Sequence, residues 1–313
     1  MDINLSYRVW WGPFLEAALS TCRTFLDPEM PDHGLVKLAG LHLALDSLAS
    51  RISTLPALDS LGVAEAIERV SPGDFGAYPA ESFSQLTSVP QPTVRRHLAQ
   101  LAEQGHLIER RSGRSIEYSL SAFSPDSLKL GPIAFAFCRW LLFATGQQAG
   151  SFEDPSSARD WGGLVRHYLA AFLAFARSRR LQNGPHTHVS IQIALIAEAE
   201  ARIVRNAWQE GPLLDQRFSA HPAATIRSLS QPFYLSVMAD RAGMPTAEAR
   251  HVINRMAKVD QSVTWLDTER FMVVPTSSRV QIDGMGQHRF FYTPEMELAL
   301  RALDSRLEQY LQV

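Results

Sequence analysis

The chain has 313 residues, 46% of them hydrophobic and 20% charged, a balance that describes a globular protein of about two domains and excludes a disordered or fibrous one. Its formal charge of −2 gives no overall attraction to a polyanion, so any nucleic-acid binding has to rest on local patches. Two cysteines, Cys22 and Cys138, stand far apart in apolar surroundings and read as core residues of a reducing, cytoplasmic compartment.

The N-terminal residues lack the basic and apolar regions of a signal peptide. Apolar residues at helical spacing predict a first helix over about Phe14–Phe25 and a second over about Leu35–Ile52, followed by a connection rich in Pro, Gly and Ser. Ala80–Thr87 is expected as a short helix burying Phe83 and Leu86, broken at Ser88-Val89-Pro90. The next helix, about Pro92–Gln104, takes its proline in the first turn, where the missing N–H costs nothing. Val94, Leu98 and Leu101 form its buried stripe, Thr93, Arg95, Arg96, Ala99 and Gln100 its opposite face, and Gly105 its stop. Leu107–Arg111 and Ser115–Leu120 then read as two strands around Ser112-Gly113-Arg114. A helix over about Ser127–Gln148 closes this half. Its apolar stretch, Leu130–Gly146, is interrupted by Arg139 and falls short of the roughly 20 residues a membrane span needs, so it is read as buried.

The second half repeats the order: helices over about Leu164–Arg179 and Val189–Gln209, a compact motif over Phe233–Val274, and a last helix over about Pro294–Gln312. In the motif Gly243 occupies the turn and Thr246 is expected as N-cap of a helix whose buried stripe is Ala249, Ile253 and Met256. Val263–Leu266 and Phe271–Val274 flank Asp267-Thr268-Glu269. An ungapped shift of 155 residues lays Val89-Pro90 on Met244-Pro245, Arg95 on Arg250, Leu98 on Ile253 and Leu101 on Met256. Nearer each start the shift becomes 150, with Trp11-Gly12 on Trp161-Gly162. The reading is an internal duplication, residues 1–150 and 151–313, with the compact motifs at about 80–120 and 233–275.

Helix, tight turn, helix and two-stranded hairpin is the layout of a winged helix-turn-helix. The stretch TVRRHLAQLAEQGHLIER in particular resembles the bacterial transcriptional regulators of the MarR, IclR and GntR type. The second motif matches more weakly, since Asp260 stands where the first has Gly105. The resemblance implies that the helix over Pro92–Gln104 enters the major groove and that the hairpin, the wing, touches backbone or minor groove.

Local charge separates the motifs. From Gln91 through Arg114 five arginines oppose Glu103 and Glu109, leaving +3; from Pro245 through Arg270 the charges cancel. Arg95 and Arg96 are candidates for bidentate contacts to guanine, and Gln91 or Gln100 for adenine. Thr93, Arg110, Arg111 and Arg114 are candidates for phosphate contacts. In the second motif the candidates are Thr246, Arg250, His251, Asn254 and Arg255, opposed by an acidic wing tip, Asp267 and Glu269.

His186-Thr187-His188 has no acidic or cysteine partners at ligand spacing and reads as a solvated loop, so no metal or cofactor is expected. No phosphate-cradling glycine loop, nucleophile elbow or paired-carboxylate motif is present, and the expectation is a non-enzyme. Aromatic residues crowd the flanking helices as core or interface, with an apolar effector pocket among them as a further possibility. The expected architecture is mainly α with two small β-wings, packed as a pseudo-two-fold dimer within one chain, which is then a monomer or pairs again as a homodimer. The expected function is sequence-specific binding of double-stranded DNA in transcriptional regulation. The alternatives are a plasmid-type replication initiator and a winged-helix adaptor that binds protein.

Overall fold

The computed structural model describes residues 3–52, 75–113, 115–123, 125–144, 152–155, 157–183, 188–210, 231–259, 263–273 and 294–311. The architecture is mainly helical, with two small antiparallel sheets of three strands each. The order is α1 (Ile3–Phe25), α2 (Pro31–Ile52), β1 (Tyr78–Pro79), α3 (Ala80–Thr87), α4 (Gln91–Glu103), β2 (Leu107–Ser112), β3 (Ser115–Leu120), α5 (Pro125–Leu128) and α6 (Leu130–Ala144). It continues with α7 (Ala158–Asn183), α8 (Val189–Glu210), β4 (Phe233–Tyr234), α9 (Leu235–Ala242), α10 (Thr246–Val259), β5 (Val263–Trp265), β6 (Arg270–Val273) and α11 (Pro294–Leu311).

The contacts divide into two compact units that do not follow chain order. Unit 1 comprises Met1–Pro13, Thr24–Arg177 and Pro294–Val313; unit 2 comprises Phe14–Arg23 and Ser178–Thr293. The boundary read from the repeat, at residue 150, concerns chain order, whereas α1 and α7 each carry residues of both units. In α1 the unit boundary falls at Pro13, an interior proline with no N–H to give the preceding turn.

In unit 1, α2, α3 and α4 pack on a sheet of order β1-β3-β2. The core takes Leu35, Leu38, Phe83, Val94, Leu98 and Leu101, all at most 1% exposed. The α3 helix buries Ala80, Phe83 and Thr87, while Leu86, expected in the core, is only half-buried. Trp161 of α7 is buried edge-on against Phe123. In unit 2, α8 and α9 pack together, α10 packs on α9, and the sheet runs β4-β6-β5. Its core centres on Phe233 and Phe271, fully buried and stacked at 5.8 Å.

The two-residue strands β1 and β4 were not expected. Each makes a third strand on its hairpin, Tyr78 opposite Tyr118 and Phe233 opposite Phe271. Runs of two residues carry no period to read. Helix limits differ too: α1 and α7 begin earlier than their apolar patterns, and Thr246 is the first residue of α10, not its cap. His188, expected in a solvated loop, is 7% exposed at the start of α8, where its carbonyl accepts the Gln192 N–H. His186 and Thr187 lie outside the described residues, as do Asp260 and the side chain of Trp11.

Cys22 and Cys138 are both buried and unbridged, and burial pushes the Cys22 thiol up to about 12 and that of Cys138 up as well. No helix among the described residues is long and apolar enough to cross a membrane.

Candidate nucleic-acid interface

The α3–α4 turn of unit 1 is fixed by its own side chains. The Thr87 hydroxyl donates to the Phe83 carbonyl at 2.8 Å and accepts the Val89 N–H at 3.2 Å, while the Ser84 hydroxyl donates to the Val89 carbonyl at 2.7 Å. Ser88 between them takes the left-handed conformation, φ 55°. Pro90 then leads into α4, whose Val94, Leu98 and Leu101 are fully buried. With 3.6 residues per turn, burying that stripe forces Arg95 and Arg96 to the exposed side. Among the described residues no ion pair holds Arg95, Arg96 or Arg111.

Gly105, at φ 76°, reverses the chain after α4, with the His106 N–H donating to the Leu101 carbonyl. The hairpin that follows exposes Glu109, Arg110 and Arg111 on β2, with Arg110 opposite Glu117 and Arg111 opposite Ile116. Burial raises the pKa of Tyr118 on β3; Glu109 adds to this and Arg95 opposes it, so Arg95 lies in the field of the hairpin. Thus α4 and the hairpin present their arginines from adjacent elements. Gln91, Thr93 and Gln100 are half-buried on the flanks of α4, and Arg114 lies outside the described residues.

The motif of unit 2 runs short strand, helix, helix and two strands in the same order but has a different surface. Gly243 takes the left-handed position, φ 68°, at the end of α9, and α10 buries Ala249, Ile253 and Met256. Thr246, His251, Asn254 and Arg255 are exposed on α10. Arg250 is not available in the same way. Its guanidinium donates to the Thr268 carbonyl at 2.5 Å, pairs with Glu269 at 3.2 Å and lies 5.6 Å from the Trp265 ring centroid. Arg255 is 3.3 Å from the His251 ring nitrogen. The acidic hairpin tip serves the turn: Asp267 accepts the Glu269 N–H at 2.8 Å and the Arg270 N–H at 2.7 Å, and pairs with Arg270 at 2.6 Å. These bonds hold the Asp267 carboxyl below its ordinary range. An open cleft of about 370 Å³ lies among Arg250, Asn254, Trp265, Leu266, Asp267 and Thr268.

Sequence reasoning missed the anchors beneath the motifs. In unit 2, Arg202 stacks its guanidinium 4.2 Å from the Phe233 ring centroid and donates to the carbonyls of Gln231 at 3.2 Å and Pro232 at 3.1 Å. Glu198 receives Arg202 and Arg241, each at 3.0 Å, and Arg241 also reaches Glu16 at 2.9 Å. In unit 1 the Ser47 hydroxyl accepts the Gly76 N–H at 2.8 Å. Ser47 and Gly76 stand 155 residues before Arg202 and Gln231, so both anchors tie the second helix to the strand entering the motif. Only the i, i+4 spacing of Glu198 and Arg202 is visible in sequence, and that spacing is common on any solvated helix.

No group of His, Cys, Asp and Glu among the described residues could hold a metal ion. The cavity between α2, α4 and the hairpin of unit 1, about 20 Å³, has room for about one water. Compared with known proteins, the chain matches no family model, no curated protein and no solved structure.

Proposed function

We propose that this chain is a cytoplasmic, non-enzymatic regulator of transcription that binds double-stranded DNA sequence-specifically, through two winged helix-turn-helix motifs derived by duplication. The observation that carries this reading is the surface of α4, which displays Arg95 and Arg96 without ion pairs among the described residues, beside a hairpin bearing Arg110 and Arg111. Guanidinium groups on an exposed helix face suit guanine edges in a major groove, and those on the hairpin suit phosphates.

Duplication is supported by several positions that correspond at a spacing of 155 residues. The short strands begin at Tyr78 and Phe233, and the helices after them at Ala80 and Leu235. The left-handed residues are Ser88 and Gly243, and the next helices begin at Gln91 and Thr246. The likeness of TVRRHLAQLAEQGHLIER to MarR-, IclR- and GntR-type regulators points the same way.

The surface of unit 2 supports a weaker share in that contact. Its α10 arginines are engaged within the unit, and Tyr234 of β4, Val237 of α9 and Leu266 after β5 are exposed at 49%, 39% and 52%. In this reading unit 1 supplies the main DNA contact and unit 2 a weaker one.

The test is fluorescence anisotropy on duplex DNA over a salt series. Changing Arg110 and Arg111 to Ala should weaken binding to any duplex and lower the slope of log affinity against log salt by about 0.9 for each phosphate no longer neutralised. Wild-type slope and affinity in that variant would replace this function with a protein-binding adaptor.

A further inference from the structure

His97 sits on α4 between the core stripe and the exposed face, 4% exposed, and meets His33 of α2 edge-on at 5.4 Å. Its Nδ1 lies 3.2 Å from the carboxamide oxygen of Gln100, three residues on. With that oxygen toward the ring, the contact assigns the imidazole proton to Nδ1, the bond running from Nδ1–H to Oε1. Gln100 lies one turn beyond exposed Arg96 and is half-buried, so its carboxamide spans the buried ring and the outer face. A bidentate contact to adenine needs the amide oxygen outward to accept from N6 and the NH₂ outward to donate to N7. With the oxygen turned to the ring, only the NH₂ is left to face outward.

We propose that His97 is a positioning residue that holds Gln100 by its oxygen, so that Gln100 offers only its N–H groups to the groove and prefers guanine, with acceptors at both N7 and O6, over adenine, whose N6 donor stands beside its one acceptor. This rests on the DNA-reading function of unit 1. The device belongs to the first motif alone, since Val252 stands 155 residues after His97. The ring is fixed from behind by His33, and burial with the neighbouring His97, Lys37 and His106 lowers the His33 pKa against a smaller opposing effect from Asp27.

The experiment selects bound duplexes from a randomised pool with the full chain: wild type, Gln100→Ala, His97→Asn, His97→Gln and His97→Leu. Asparagine carries its N–H where imidazole carries Nδ1–H, whereas glutamine carries it near Nε2. Wild type and His97→Asn should prefer guanine over adenine at one base-pair position. His97→Gln and His97→Leu should admit adenine there, shrinking the preference about tenfold, the size of one good base contact. Melting curves identify any variant that loses the fold, and the Asn and Gln variants, equally polar, then carry the comparison. Nitrogen-15 chemical shifts should place the His97 proton on Nδ1. The inference is overturned if His97→Gln keeps the wild-type preference while Gln100→Ala loses it, or if the proton lies on Nε2. Absence of salt-dependent duplex affinity in wild type overturns the DNA-reading function instead, and the nitrogen-15 shifts still decide the His97–Gln100 bond.

Discussion

Arg250 of α10 closes onto Glu269 of its own hairpin at 3.2 Å, so the arginine 155 residues after Arg95 already faces a carboxylate. The pair is 36% and 56% exposed, and an ion pair so open to solvent stabilises by no more than about 1 kcal/mol. Releasing it therefore costs little stability. Glu269→Lys should strengthen non-specific duplex binding and steepen its salt dependence, measured by anisotropy. Asp267 is the wrong residue for this purpose, because it also holds the turn through two backbone N–H groups. A Glu269→Lys protein with the wild-type slope would place unit 2 outside the DNA contact.

Arg95 and Arg96 project from the side of α4 opposite three fully buried residues. Changing both to Ala should abolish sequence preference and leave circular dichroism and melting unchanged. A good bidentate pair to a base supplies about 1–3 kcal/mol of discrimination, and each truncated arginine would forfeit that much. Preserved affinity for the selected site in a folded double variant would remove α4 from the reading role.

Ser88 and Gly243 share one backbone conformation but not one side chain. A side chain in the left-handed region costs about 1–2 kcal/mol, offset partly by the greater freedom of an unfolded glycine. Ser88→Gly should stabilise by about 0.5–1 kcal/mol in urea melts. Gly243→Ala should destabilise by at least as much, since its Cβ would also come 2.5 Å from the Arg23 side chain. Equal signs at the two positions would count against a shared turn.

His167 accepts the Arg166 guanidinium at 3.0 Å, which requires a neutral ring. Burial first, then Arg166, His42 and Arg306, lower its pKa to about 4, with Asp46 opposing. His42 is lowered in the same direction, chiefly by burial. The folded state therefore binds fewer protons than the unfolded one below the ordinary histidine value, and stability is full above about pH 6.5 and falls between there and about pH 4. His167→Gln should flatten that loss by about 1–2 kcal/mol, allowing for solvent screening of a partly exposed ring, in urea melts at pH 7 and 4.5. An unchanged pH dependence would leave the His167 ring without the assigned role.

The motif elements were legible because their signals are local. Val94, Leu98 and Leu101 show the helical period of a half-buried surface, Gly105 and Gly243 mark chain reversals that need positive φ, and Leu107–Leu120 alternates around a glycine turn. The left-handed Ser88 carried no such mark, since serine gives no sign of positive φ. It is held there by the Ser84 and Thr87 bonds across the turn.

The sequence by itself determined which residues form each helix stripe and hairpin, and that one motif is basic and the other neutral, because period and charge are properties of neighbouring residues. Only the tertiary structure decided which charges remain available. Arg250 is neutralised by Glu269, nineteen residues on, and Glu198 and Arg241 join across forty-three. The division of α1 and α7 between the compact units is likewise written in no local pattern. Such pairings depend on how packed elements bring distant side chains within a few ångströms, where the Coulomb interaction and the loss of solvent set their worth.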